Sequence, residues 1–166
     1  MASTRSLLAE LRAAEKEHGK FESIELLIPD LSGVLRGKRI RRSDFEKCAK
    51  GGFVFCAGAT MLNTLGEVTT GVPYGADDGD PDLPASLIPG SIAPVPWASK
   101  PMGQAFFRIV NEDGGDFFGD PRSVLENALK PLKKRGIKPV VATELEFYLL
   151  DGKSDTIRIG APKVPG

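Results

Sequence analysis

The 166-residue chain is 41% hydrophobic and 27% charged, the balance of a globular protein with one good core or two small ones. Lys plus Arg and Asp plus Glu both number 22, so no overall field draws it to nucleic acid, an anionic membrane or a strongly acidic partner, and charged substrates must be recognised locally. Two neighbouring cysteines, Cys48 and Cys56, make no secreted disulfide framework, no run reaches the ~18 apolar residues of a membrane span, and the charged N-terminus is not a signal peptide, so a soluble cytoplasmic protein is expected.

Leu7, Leu8, Leu11 and Ala14 recur at helical spacing and predict a short amphipathic helix that Gly19 can end. Ile24, Leu26 and Ile28 then alternate with polar residues. After the turn Pro29-Asp30-Leu31-Ser32-Gly33, a second strand over Val34–Ile40 can return beside the first. The basic residues Arg36, Lys38, Arg39, Arg41 and Arg42 on or beside it suit a solvated sheet edge. Ser43 and Glu46 have capping-box spacing for a short helix ended by Gly51-Gly52, and Phe53–Cys56 has strand character. From Met61 to Lys100, repeated Gly and Pro predict a long loop, one whose Leu87, Ile88, Ile92, Val95 and Trp97 argue for burial over disorder.

A strand over Gln104–Val110 follows. Asp120-Pro121 then supplies an N-cap and a first-position proline for a helix with Val124, Leu125, Ala128, Leu129 and Leu132 as its buried stripe, Pro131 as a kink and Gly136 as its stop. Lys138–Leu150 reads as a long apolar strand carrying Glu144 and Glu146. The two carboxylates would share one face ~7 Å apart. Apolar neighbours make ionised glutamates costly, and a divalent cation would relieve both burial and mutual repulsion. A wet strand face, or pairing with a neighbouring Lys or Arg, satisfies the same pattern.

Gly119-Asp120-Pro121-Arg122-Ser123, a helix, and then Thr143-Glu144-Leu145-Glu146-Phe147-Tyr148-Leu149 resemble the entry to the catalytic domain of the glutamine synthetase family. Upstream, the hairpin, short helix and Leu87–Trp97 loop look like that family's N-terminal domain. The resemblance implies an α+β protein: a helix at 1–19, a β-grasp-like domain at 20–112 and, at 113–166, the incomplete beginning of a glutamine synthetase-type catalytic α/β domain. It also implies that Glu144 and Glu146 bind Mg2+ or Mn2+, with ATP and glutamate as substrates and active sites shared between subunits of a homo-oligomer. The remaining ligands would lie beyond Gly166, so these residues alone are expected to be inactive.

Within the family, Pro94-Val95-Pro96-Trp97-Ala98 is most similar to the γ-glutamyl-polyamine synthetase branch. Ammonia-using members carry an Asp-Gly-Ser-Ser run where this chain has Phe55-Cys56-Ala57-Gly58-Ala59. Without that carboxylate a larger primary amine, a polyamine for example, has room, and Cys56, Asp80 and Asp82 are candidate substrate contacts. Asp and Gly of this kind also build ordinary turns. An ammonia-using glutamine synthetase and a non-catalytic oligomeric scaffold are the alternatives. His18 suits a helix C-terminus, and Trp97 suits a core or subunit contact.

Overall fold

The computed structural model describes residues 4–148 and 150. They fall into two compact units divided between Pro131 and Leu132. The first is a mixed α/β unit built on one curled sheet. Its elements are α1 (Thr4–His18), β1 (Ser23–Pro29), β2 (Leu35–Arg41), α2 (Phe45–Ala49), β3 (Val54–Cys56), β4 (Asp82–Leu87), β5 (Ala93–Pro94), β6 (Met102–Ile109) and α3, a helix over Pro121–Lys134 that continues past the division.

The sheet runs β2-β1-β6-β4-β3, with β5 also on β6. β1 and β6 are parallel, from Ser23 opposite Met102 to Leu27 opposite Phe106, and the other pairings are antiparallel. Alternation decides the buried face: Ile24, Leu26 and Ile28 of β1 meet Ala105, Phe107 and Ile109 of β6 and Leu83, Ala85 and Leu87 of β4 in one core. Each large member contributes about 1.5–3 kcal/mol by leaving water. Phe107 packs edge-on against Phe53 and Phe55, with ring centroids 5.3 and 5.0 Å away.

The α1 helix covers this core with Leu7 and Leu11 and ends where Gly19, at φ 89°, donates to the Glu15 carbonyl. Glu10 accepts hydrogen bonds from the Gly90 and Ile92 N–H groups, and Glu15 holds Arg42 in a two-pronged ion pair at 2.7 and 2.9 Å. That hydrogen bond lowers the Glu15 carboxyl below its usual range against the opposing effect of burial. The basic β2 strand is an edge, as its charge implied. The sheet curls until Lys38 of β2 donates to the Val54 carbonyl of β3 at 3.0 Å, although the two strands occupy opposite ends of the order. Gly37 permits close pairing, since a Cβ there would lie 1.9 Å from the Leu26 carbonyl oxygen.

Four expectations are corrected. The long loop from Met61 to Lys100 contains β4 and β5. Pro84 hid β4 because proline removes one ladder donor, yet its neighbours keep the ladder through Ala85 N–H to Phe53 O and Val110 N–H to Pro84 O. The capping box does not form: Arg42–Asp44 is a 3₁₀ turn, no side chain caps α2, and Glu46 pairs with Lys50 instead. Val124 and Leu125 of α3 are exposed, and Ser123 is the buried residue of that helix among those described, because α3 meets β6 through polar groups, its cap Asp120 and Glu126 on Arg108, and its apolar stripe is left without cover. Lys138–Leu150 forms no continuous strand. Residues 138–148 have no regular structure and Leu150 makes an isolated bridge, since a strand needs a partner to take its backbone N–H and C=O groups. Leu149 lies outside the described residues.

Candidate functional site

The turn after β3 and the start of β4 bring three of the predicted contact residues together. Cys56 pairs in register with Asp82 across the β3–β4 ladder, and the Cys56 thiol lies 3.8 Å from Asp80 Oδ1 in donor orientation. The segment that presents Asp80 is closed on itself. Asp77 accepts from the Gly71 N–H and Asp78 from the Tyr74 N–H, while the Gly75 carbonyl accepts from Asp78 and Asp80. Asp77 and Asp78 are therefore turn-builders. Tyr74 (φ 65°) and Asp80 (φ 51°) sit in left-handed conformations uncommon for residues with a side chain. Gly58 makes the approach possible: a Cβ there would be 2.9 Å from both Asp80 Oδ1 and the Tyr74 carbonyl. The result is a thiol and two carboxylates at one exposed corner, a lining that can contact a cationic amine. Lys38 Nζ lies over the neighbouring Phe55 ring, 5.5 Å from its centroid.

Glu144 and Glu146 lie in the second unit, exposed, in a segment where Leu145, Phe147 and Tyr148 are 84%, 76% and 76% accessible. Leu145, Glu146, Phe147 and Tyr148 line an open hollow, so the apolar neighbours flank Glu146 without burying it. The oxygen donors of the two glutamates match the preference of Mg2+ or Mn2+. No group of three or more His, Cys, Asp or Glu side chains is close enough to hold a metal among the described residues. His18 is half-exposed at the end of α1, 3.7 Å from Glu17, and Trp97 is 80% exposed, outside the core.

A buried polar cluster at the root of α3 was not anticipated from the sequence. Asp120 is fully buried and caps the helix, with Oδ1 accepting from the Arg122 N–H at 2.9 Å. Burial pushes its carboxyl above the usual range, against the pull of the Arg122 N–H and of Arg108. Arg108, from β6, bonds Glu126 at 2.7 Å and comes within 3.9 Å of Asp120 Oδ2. Its Nε, Asp120 Oδ2 and Ser123 Oγ are buried without a hydrogen-bond partner. Cap chemistry marked Asp120, but nothing local to the sequence marks Arg108, whose role depends on β6 ending beside α3.

Residues 118–163 match a family model described as "Glutamine synthetase, catalytic domain". Over 132 residues the chain is 39% identical to the gamma-glutamylputrescine synthetase PuuA of Escherichia coli (strain K12), an alignment covering 80% of this chain and 28% of that protein. The chain is related to the glutamine synthetase family. The glutamate–isopropylamine ligase of a Pseudomonas species is 30% identical over 139 residues, 81% of this chain and 30% of that one. A Plasmodium falciparum glutamine synthetase structure shares the fold, with a TM-score of 0.55 and 17% identity over 82% of this chain and 23% of that one. This glutamine synthetase relative thus spans under a third of the length of the curated relatives named here.

Proposed function

We propose that the protein carrying this chain is an ATP-dependent glutamate–amine ligase whose amine is a polyamine or another primary amine. The observation that carries the reading is the 39% identity to a gamma-glutamylputrescine synthetase across 80% of the chain. The reaction has two stages. The glutamate γ-carboxylate attacks the terminal phosphorus of ATP, releasing ADP and forming an acyl phosphate. The amine nitrogen then attacks the acyl carbon, phosphate leaves, and the nitrogen gives up a proton. In this reading Glu144 and Glu146 hold Mg2+ or Mn2+, which neutralises phosphoryl charge when bound.

The corner of Cys56, Asp80 and Asp82 supplies the amine contacts. Asp80 and Asp82 are the local anions that Phe55-Cys56-Ala57-Gly58-Ala59 lacks, and the thiol leaves space for a carbon chain. The parallel placement of β1 beside β6, with β2 returning on β1, supports a β-grasp-like domain at 20–112 following the helix at 1–19 and preceding a catalytic domain from 113. Catalysis would take place in a homo-oligomer with sites shared between subunits, in the cytoplasm.

The test is phosphate release by the protein as it occurs in the cell, given ATP, glutamate and Mg2+ with ammonium, putrescine or isopropylamine. Putrescine or isopropylamine should exceed ammonium in kcat/KM, and Glu146→Ala should abolish amine-dependent release while keeping the fold. A clear preference for ammonium would make the protein an ordinary glutamine synthetase. Normal turnover by Glu146→Ala would remove the metal assignment.

A further inference from the structure

The first unit contains a cleft of about 340 Å3 between the ends of β4 and β6 and the first turns of α3. One wall is apolar, made by Leu87, Ile88, Pro89 and Val110. The opposite side carries four charges, Arg108, Arg122, Asp116 and Glu126, whose signs cancel. They are not equally committed. Arg108 is bonded to Glu126 and also feels the Asp116 charge, while the ion pair Asp116 makes among the described residues is a loose one to Lys130 at 3.7 Å, with its own side chain half-exposed. Arg122 makes no ion pair among the described residues, so a whole guanidinium fork faces solvent at the cleft. Arg108 also brings a buried Nε–H that has no acceptor.

We infer that this cleft binds a free α-amino acid with an aliphatic side chain. Its carboxylate would lie on Arg122, its ammonium against Asp116, and its side chain on the Leu87–Pro89 wall. Charge selects the class. A phosphate or other multiply charged anion would meet Asp116 and Glu126, and a simple amine would meet Arg108 and Arg122, whereas a zwitterion matches both signs with no net charge to neutralise. Arginine presents paired N–H donors in the plane that a carboxylate needs. A cleft of this volume, apolar on one side with a few convergent polar groups on the other, is the usual form of a small-molecule site. The inference uses neither the metal ligands nor the amine corner, and it stands or falls apart from the ligase reading.

The test is a titration of the ¹⁵N-labelled 166-residue chain with L-leucine, followed through the amide resonances of Ile88, Val110 and Gly114. Two fragments of leucine serve as controls: 4-methylpentanoate, which lacks the ammonium, and 3-methylbutylamine, which lacks the carboxylate. Saturable shifts at those amides are expected for leucine at millimolar concentration, with each fragment at least about tenfold weaker, the factor that 1.4 kcal/mol represents. Arg122→Gln should weaken leucine binding by at least the same factor. Because Arg122 is exposed and makes no ion pair among the described residues, this variant should keep the amide spectrum elsewhere, and Asp116→Asn gives an independent second loss. Absence of shifts at millimolar leucine, equal binding of either fragment, or unchanged binding by Arg122→Gln would each overturn the assignment.

Discussion

Replacing Asp30 with alanine should cost the first unit about 2–4 kcal/mol. Its side chain is fully buried at the turn between β1 and β2, where Oδ1 accepts from the Ser32 and Val34 N–H groups at 2.9 and 2.8 Å and Oδ2 takes Arg36 at 3.0 Å. Alanine leaves two backbone donors without their acceptor and strips Arg36 of its counter-ion. Breaking a wholly buried pair costs about 3–5 kcal/mol, and the partial exposure of Arg36, 29% of its side chain, brings the figure down. Urea unfolding followed by circular dichroism should show the midpoint falling by roughly 1 M or more, given slopes of about 1–3 kcal/mol per molar. Burial pushes the Asp30 carboxyl up, but the hydrogen bonds from Val34, Arg36 and Ser32 together outweigh it and hold the group below its ordinary value. The stabilisation is therefore complete above the unfolded value of about 3.9 and is lost as pH falls through the folded one. The gap between the parent and Asp30→Ala should be widest at neutral pH and narrow below about pH 4. A loss under about 0.5 kcal/mol, the size of an ordinary surface change, would refute the argument.

Asp120 should behave in the opposite sense. Its folded carboxyl is raised by burial, so its contribution is largest below the unfolded value and is lost as pH rises through the folded one. Asn caps a helix as well as Asp, so Asp120→Asn should leave neutral-pH stability unchanged or raise it, and a loss above about 2 kcal/mol in urea unfolding would contradict this. Gly58→Ala should displace the Tyr74–Asp80 segment, because its Cβ would sit 2.9 Å from two oxygens. The expected cost is about 1–3 kcal/mol, together with altered reactivity of Cys56 towards a thiol reagent; an unchanged labelling rate would show that the thiol and Asp80 are not held together.

What could be read from the residues divides by the range of the interaction. The α1 helix, the β1–β2 hairpin and the start of α3 were legible because each is specified by residues a few positions apart: Leu7 with Leu11, Asp30 with Gly33, Asp120 with Pro121. The β4 strand was hidden by Pro84, whose missing N–H looks disqualifying until its neighbours are seen to carry the ladder. The failure of the Val124–Leu125 stripe to bury, and of Glu144–Glu146 to sit on a strand, has a shared cause. Periodicity states which face wants cover and cannot state whether cover is present. At the candidate site, Cys56, Asp80 and Asp82 could each be named singly. Their meeting depends on the Cys56–Asp82 register and on Gly58, which only the fold displays.

The parallel pairing of β1 with β6 has a consequence for synthesis. Ser23 meets Met102, so β1 waits for a partner made roughly 80 residues later. The β1–β2 hairpin can close at once, but Ile24, Leu26 and Ile28 lack their β6 neighbours Ala105, Phe107 and Ile109 until that strand leaves the ribosome. At about 5–20 residues per second that interval is about 4–16 s, long beside the ~1–10 μs in which a hairpin forms. During it the nascent chain displays an apolar strand flanked by a strongly basic one. Charged side chains along a strand edge, Lys38 among them, discourage neighbouring hairpins from pairing edge to edge, a protection needed most before the fold exists.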